Sequence, residues 1–121
     1  MWNLRGIEPE LLDYRQMKVV DPRYPLRPEI IESAFYLYRY TKDPRYLEMG
    51  RVFFEGIRKQ CRTEAGDTVL KSVDSMEKGD SMPSYFLAET LKYLYLLFSD
   101  EPVDLDKAAF NTEAHLLKRT W

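Results

Sequence analysis

Cysteine and histidine are almost missing from this sequence: Cys61 and His115 are its only examples. A single cysteine excludes an internal disulfide and any cysteine metal cluster. A single histidine excludes a histidine-rich metal site, and a serine–histidine triad has no upstream support. Cys61 therefore reads as a half-buried helical thiol, since free cysteines are commonly inside. An excess of charge is also missing. The net charge of −2 and isoelectric point near 5.5 leave no electrostatic footprint for nucleic acid. Long apolar runs are absent too. The longest covers residues 93–98, far short of the roughly 20 residues of a membrane span. Arg5, Glu8 and Glu10 interrupt any apolar segment near Met1, so no signal peptide is read there. A secreted chain would carry that signal further upstream.

What is present belongs to a globular protein: 45% of the 121 residues are hydrophobic and 14% aromatic, one domain's worth of chain. Residues 1–26 show little periodicity and are punctuated by Pro9, Pro22 and Pro25, which predicts extended and turn structure with at most a short helical piece. Pro28 then opens a first helix as its first helical residue, with Ile31, Ala34, Phe35 and Tyr38 at helical spacing. Asp43 is a natural N-cap for a second helix and Pro44 its first-turn residue. Met49, Val52, Phe53, Gly56 and Ile57 form the buried stripe of that helix. Gly50 and Gly56 each cost about 1 kcal/mol of helix propensity, which predicts close packing against a neighbouring helix. Residues 63–79 turn to loop chemistry and β-branched residues, read as a long loop or a small hairpin. A third helix runs from about 81–84 to Phe98, apolar at Phe86, Leu87, Leu91, Leu94, Tyr95 and Phe98, and is ended by Ser99-Asp100-Glu101-Pro102. Its apolar surface exceeds half the circumference and implies contacts on two sides. The expected fold class is all-α, a piece of a larger helical array with a short hairpin or loop between the second and third helices.

Carboxylates supply the chemical interest. Glu29 and Glu32 lie one turn apart on one face of the first helix. The helix dipole alone favours acids there. Glu89 sits on the largely apolar third helix, where a charge needs a reason; it could face solvent or pair with Lys92. Glu113 follows Thr112 in a tail of otherwise aromatic and small residues.

Three segments give these residues a context. Tyr24-Pro25-Leu26-Arg27-Pro28-Glu29-Ile30-Ile31-Glu32-Ser33, followed by Tyr36-Leu37-Tyr38-Arg39, resembles the LRPE…ES…YLYR segment of class I α-mannosidases, glycoside hydrolase family 47. Asp80-Ser81-Met82-Pro83-Ser84-Tyr85-Phe86-Leu87-Ala88-Glu89-Thr90-Leu91-Lys92-Tyr93, continuing to Phe98, is similar to that family's D-x-M-x-S-F-F-L-x-E-T-x-K-Y-L-Y-L-L-F block. Phe110-Asn111-Thr112-Glu113-Ala114-His115 is similar to its terminal FNTEAH. The segments occur in the family's order and at about its spacing. The wording of the second block, and Leu116-Leu117, lean toward the endoplasmic-reticulum degradation-enhancing (EDEM-like) branch.

The resemblance implies that residues 1–121 form the C-terminal fragment of an (α/α)7-barrel catalytic domain. It implies a calcium-dependent, inverting α-1,2-mannosidase that trims high-mannose N-glycans in the endoplasmic reticulum or secretory pathway. Glu29 takes the place of the general base that activates water, in a reaction needing two carboxyl groups about 6.5–9.5 Å apart. Thr112 takes the place of the direct calcium ligand, through hydroxyl and carbonyl oxygens. Glu32, Glu89 and Glu113 match carboxylates ringing the ion and the terminal mannose, Arg27 orients that cluster or contacts glycan, and Tyr85 packs on the sugar. The family's general acid and most of its barrel lie in segments not found here, so the fragment is expected to be inactive by itself and to need the N-terminal part of the barrel as a partner. Pro83, Tyr85, Asp67 and Lys118-Arg119 depart from the family's pattern and bear on substrate preference. Two other readings compete: a non-catalytic remnant that binds mannose glycans or protein, and a helical scaffold with vestigial acids.

Overall fold

The computed structural model describes residues 6–100 and 103–120. They divide into two units: one from the segments Met1–Arg27 and Arg51–Pro83, the other from Pro28–Gly50 and Ser84–Trp121. Helix α1 (Glu29–Thr41) belongs to the second unit, and α2 (Pro44–Gln60) runs through the division.

In the first unit, β1 (Leu11–Asp13) pairs antiparallel with β2 (Lys18–Asp21), and β3 (Leu70–Ser72) with β4 (Glu77–Lys78). Tyr24 and Leu70 exchange backbone hydrogen bonds of 3.0 and 2.9 Å, joining the segment after β2 to β3. The core gathers Ile7, Tyr24, Leu26, Phe53, Ile57, Cys61, Leu70 and Val73, with the Tyr24 ring edge-on to Phe53 at 6.1 Å. Each such large apolar side chain contributes about 1.5–3 kcal/mol of burial. Gly56 does make the expected close contact, but with a bend of the chain instead of a helix: a Cβ there would stand 2.7 Å from the Gly6 carbonyl oxygen. Cys61 is fully buried, beyond the half-burial read from sequence, and burial pushes its thiol up to about 12.

In the second unit, a π-helical segment (Phe86–Thr90) leads directly into α3 (Leu91–Phe98), and β5 (Ala108–Phe110) pairs antiparallel with β6 (Leu116–Lys118). Phe86, Thr90, Tyr93, Leu94 and Leu97 form the buried stripe, facing Ile31, Ala34 and Phe35 among the core residues. Rings of Phe35, Tyr93 and Phe110 meet at centroid separations of 5.7–6.2 Å, which seats β5 on the aromatic cluster. A Cβ on Gly50 would collide with Leu97 and lie 3.2 Å from Ile31 Cδ1, so this glycine does serve helix packing. The opposite stripe of the helix, Leu87, Tyr95 and Phe98, is exposed in this chain.

Capping follows local chemistry. Pro28 occupies the N-cap position of α1, one residue earlier than the sequence reading placed it. Asp43 Oδ1 accepts from the Arg45 N–H at 2.9 Å and caps α2 as expected. Lys42, left-handed at φ 57, ends α1 by donating its N–H to the Tyr38 carbonyl oxygen. Helix α3 ends at Phe98 with Ser99 as C-cap; Glu101 and Pro102 lie outside the described residues.

The all-α expectation is therefore corrected: the described residues contain three α-helices, the π segment and three antiparallel hairpins. The segment between the second and third helices, expected as a loop or a small hairpin, is a hairpin; the other two hairpins were not expected. All three share one device. A polar side chain at the loop entrance caps two following backbone N–H groups: Asp13 those of Arg15 and Gln16, Ser72 those of Asp74 and Ser75, Asn111 those of Glu113 and His115. A left-handed residue then turns the chain back into the second strand: Met17 at φ 52, Met76 at φ 57, Ala114 at φ 54. That conformation ordinarily calls for Gly or Asn, so Met17 and Ala114 hid the first and third turns from the sequence reading. The π segment was hidden as well. Its signature is the Leu91 N–H bonded to the Phe86 carbonyl, one residue further back than in an α-helix.

Candidate carboxylate site

Glu29 and Glu32 project from the first turn of α1, which has no side-chain N-cap bond. Glu89 lies within the π segment on the buried stripe and is only 9% exposed. Glu113 is exposed on the turn between β5 and β6, next to Thr112. All four belong to the second unit, and the fold brings Glu29, Glu32 and Glu113 within electrostatic reach of Glu89. Burial first, then the charges of Glu113, Glu32 and Glu29, push the Glu89 carboxyl above its usual value, while Lys92 pulls the other way. A buried acid surrounded by acids is costly to ionise, and such arrangements concentrate at functional sites. π segments occur frequently at such sites too.

The cluster has a built frame. The Tyr93 hydroxyl donates to Glu32 Oε1 at 3.2 Å. Burial, with Glu32 beside it, pushes the Tyr93 hydroxyl far up, so it remains a phenol and a donor. Lys92 Nζ donates to the Ala114 carbonyl oxygen at 2.8 Å, fastening the hairpin turn that carries Thr112 and Glu113 to α3. Inside the turn, Asn111 Oδ1 accepts from the Glu113 N–H at 3.0 Å and the His115 N–H at 2.8 Å. The Asn111 backbone also donates to the His115 carbonyl at 3.0 Å.

Two residues named from sequence stand differently. Arg27 belongs to the first unit, where its guanidinium forms a forked pair with Glu10: Nε reaches both carboxylate oxygens at 2.9 Å and Nη2 reaches Oε1 at 2.7 Å. Tyr85 is half-buried, one residue before the π segment. Sequence reasoning missed Tyr93 and Asn111 and offered Lys92 only as a partner for Glu89. Helical spacing from Glu89 holds the available signal: Lys92 and Tyr93 follow at three and four residues. Among the described residues, no group of three or more Asp, Glu, His or Cys is arranged to grip a metal ion, and no helix is long and apolar enough to cross a membrane.

The signature of glycosyl hydrolase family 47 matches residues 7–119. The Arabidopsis thaliana protein Alpha-mannosidase I MNS5 is 42% identical over 117 residues, covering 95% of this chain and 20% of the relative. Mannosyl-oligosaccharide 1,2-alpha-mannosidase MNS1 of the same plant is 53% identical over 94 residues, 77% of this chain and 17% of the relative. The human ER degradation-enhancing alpha-mannosidase-like protein 3 is 46% identical over 98 residues, 78% of this chain and 10% of the relative. The solved alpha-1,2-mannosidase from Trichoderma reesei superposes with a TM-score of 0.77 at 34% identity, covering 83% of this chain and 22% of that one. The chain thus spans about a fifth or less of the length of these curated relatives. With its family signature matched from residue 7 to residue 119, the chain belongs to glycosyl hydrolase family 47.

Proposed function

We propose that residues 1–121 are the C-terminal part of the catalytic domain of a calcium-dependent, inverting α-1,2-mannosidase that trims high-mannose N-glycans in the endoplasmic reticulum or secretory pathway. One observation carries this reading: Glu89 is buried with the charges of Glu113, Glu32 and Glu29 in reach, burial first and those charges second holding its carboxyl above its usual value, and Thr112 adjoins Glu113 on the turn. The exposed stripe of Leu87, Tyr95 and Phe98 fits a helix that also contacts a neighbour in an (α/α)7 barrel.

The donor set fits calcium, a hard cation that takes oxygen ligands. No three carboxylates here converge to chelate an ion. By the family resemblance, Thr112 would hold it through hydroxyl and carbonyl oxygens, with Glu32, Glu89 and Glu113 reaching it through water. When bound, calcium would supply positive charge and fixed ligand waters for orienting mannose hydroxyls. The chain's own residues supply the rest. Glu29, exposed at the head of α1, takes the proton of a water whose oxygen attacks the anomeric carbon as the glycosidic C–O bond breaks. The leaving oxygen takes its proton from a general acid, which the resemblance assigns to family segments not found in these residues. Tyr93 holds Glu32 for contact with the sugar, and Tyr85 offers it an aromatic face.

The test is mannose release from a high-mannose N-glycan by the full-length protein, with the anomer followed by NMR. The parent should release β-mannose first, and Glu29→Gln should lower turnover by at least about 100-fold. Parental turnover in Glu29→Gln, or first release of α-mannose, would overturn the mechanism. Glycan binding without turnover in the parent would favour a binding remnant. The 121-residue chain by itself should release no mannose.

A further inference from the structure

We propose that Lys92 is a positioning residue: its ammonium group pins the Ala114 carbonyl and so holds the Thr112–Glu113 turn in the form that binds a divalent cation. The inference rests on the calcium reading above and adds what sets the affinity of that site. Lys92 lies one helical turn beyond Glu89, close enough for its charge to ease that carboxyl's ionisation. Its hydrogen bond goes elsewhere, to the neutral carbonyl of Ala114 at 2.8 Å. A lysine near Glu89 whose bond is made to a backbone oxygen acts on the shape of the turn.

That turn needs holding. Ala114 is fully buried in the left-handed conformation at φ 54, which a residue with a Cβ adopts only when its surroundings impose it. Asn111 imposes it from within, through its bonds to the Glu113 and His115 N–H groups. Lys92 imposes it from α3. Thr112 sits between these two fastenings, so its hydroxyl and carbonyl are fixed by the loop that Asn111 and Lys92 close. An ion gripped by two neutral oxygens depends on such preorganisation, because outer contacts that orient ligands tune metal affinity by roughly 10–100-fold.

Charge and tether make opposite demands, which gives the idea a sharp test. By Coulomb's law alone, deleting a cation near a calcium site should tighten binding. Deleting a tether should weaken it. Calcium affinity is measured by calorimetry on chelator-stripped full-length protein, alongside the ion-free melting temperature, for Lys92→Met, Lys92→Arg and Thr112→Ala. Lys92→Met should raise the calcium Kd about tenfold or more, and Lys92→Arg, which keeps charge and donor, should restore most of the loss. A Lys92→Met variant that binds calcium as tightly as the parent, or more tightly, overturns the proposal. A purely structural lysine would lower the ion-free melting temperature and leave Kd unchanged, which also overturns it. Should Lys92→Met fail to fold, Lys92→Gln makes the same comparison: weaker binding supports the tether, equal or tighter binding contradicts it. Thr112→Ala separates the two levels. Parental Kd in that variant defeats the calcium reading itself, whereas its loss together with parental Kd in Lys92→Met defeats only the role of Lys92.

Discussion

The β1–β2 hairpin of the first unit and the β5–β6 hairpin of the second are closed in the same way. Asp13 and Asn111 each cap two backbone N–H groups, and Met17 and Ala114 each take the left-handed position. Their settings differ. Around the first hairpin, acids lie against cations: Asp21 pairs with Arg23 at 2.5 Å, and Glu10 with Arg27 at 2.7 Å. Around the second, acids lie among acids, and a lysine holds a carbonyl of the turn. The charge states follow. The Arg23 guanidinium holds the Asp21 carboxyl down at about 2, whereas burial and three neighbouring carboxylates push Glu89 up. Equivalent backbone architecture thus stands among paired charges in one unit and beside clustered carboxylates in the other. The difference lies in what surrounds the turn.

Removing the two caps should separate those settings most strongly. Each Ala variant loses two hydrogen bonds, worth about 1 kcal/mol apiece, so Asp13→Ala and Asn111→Ala should lower the melting temperature of the full-length protein by comparable amounts. Only Asn111→Ala should also lower mannosidase turnover, by about tenfold or more if the turn holds the ion. Equal loss of activity in both variants would erase the distinction.

The two packed helical glycines give a smaller effect. Alanine at Gly56 would drive its Cβ toward the Gly6 backbone carbonyl, which has little room to yield. Alanine at Gly50 meets the side-chain ends of Leu97 and Ile31, which can change rotamer. Denaturant titration should show Gly56→Ala destabilised by about 1–3 kcal/mol. Gly50→Ala should lie closer to the parent, its overpacking offset by a gain of about 1 kcal/mol in helix propensity. The reverse order would contradict the packing described.

The smallest effect is a pH dependence of opposite sign in the two units. Glu89 has a raised carboxyl in the fold, so the native state binds its proton more tightly than the unfolded chain does. Stability from this group is present below its ordinary value of 4.5 and is lost as pH rises through the higher folded value. Asp21 behaves oppositely: its contribution is present above 3.8 and is lost as pH falls through about 2. In ion-free protein, Glu89→Gln should therefore melt above the parent at pH 7, with the gap closing toward pH 4.5. A Gln variant that melts below the parent at pH 7 would show that Glu89's charge is not a burden on the fold.

Much of this was legible before any coordinates. Asp43 announced the start of α2, the stripe through Phe53 and Ile57 its buried face, and the three motifs the family. Glu89 stood out as a charge on an apolar helix, and the structure buries it. The hairpins at residues 11–21 and 108–118 were not legible, because Met17 and Ala114 fill turn positions where a glycine would have been the signal. Nor was the side of α3 that faces the core: Leu87, Tyr95 and Phe98 are as apolar as Tyr93 and Leu97, yet exposed. Composition cannot rank two apolar stripes on one helix. The link from Lys92 to Ala114 spans 22 residues and joins two elements, so only the fold reveals it.

The central claim is that the Thr112 turn and the carboxylates around Glu89 form one calcium-dependent site. Calorimetric titration of calcium into chelator-stripped full-length protein tests it most directly, comparing the parent with Thr112→Ala and Glu29→Gln. The account predicts that Thr112→Ala loses calcium affinity by at least about tenfold, while Glu29→Gln retains the ion and loses turnover. Calcium binding to Thr112→Ala as tight as to the parent would contradict it and leave Thr112 as no more than a turn residue.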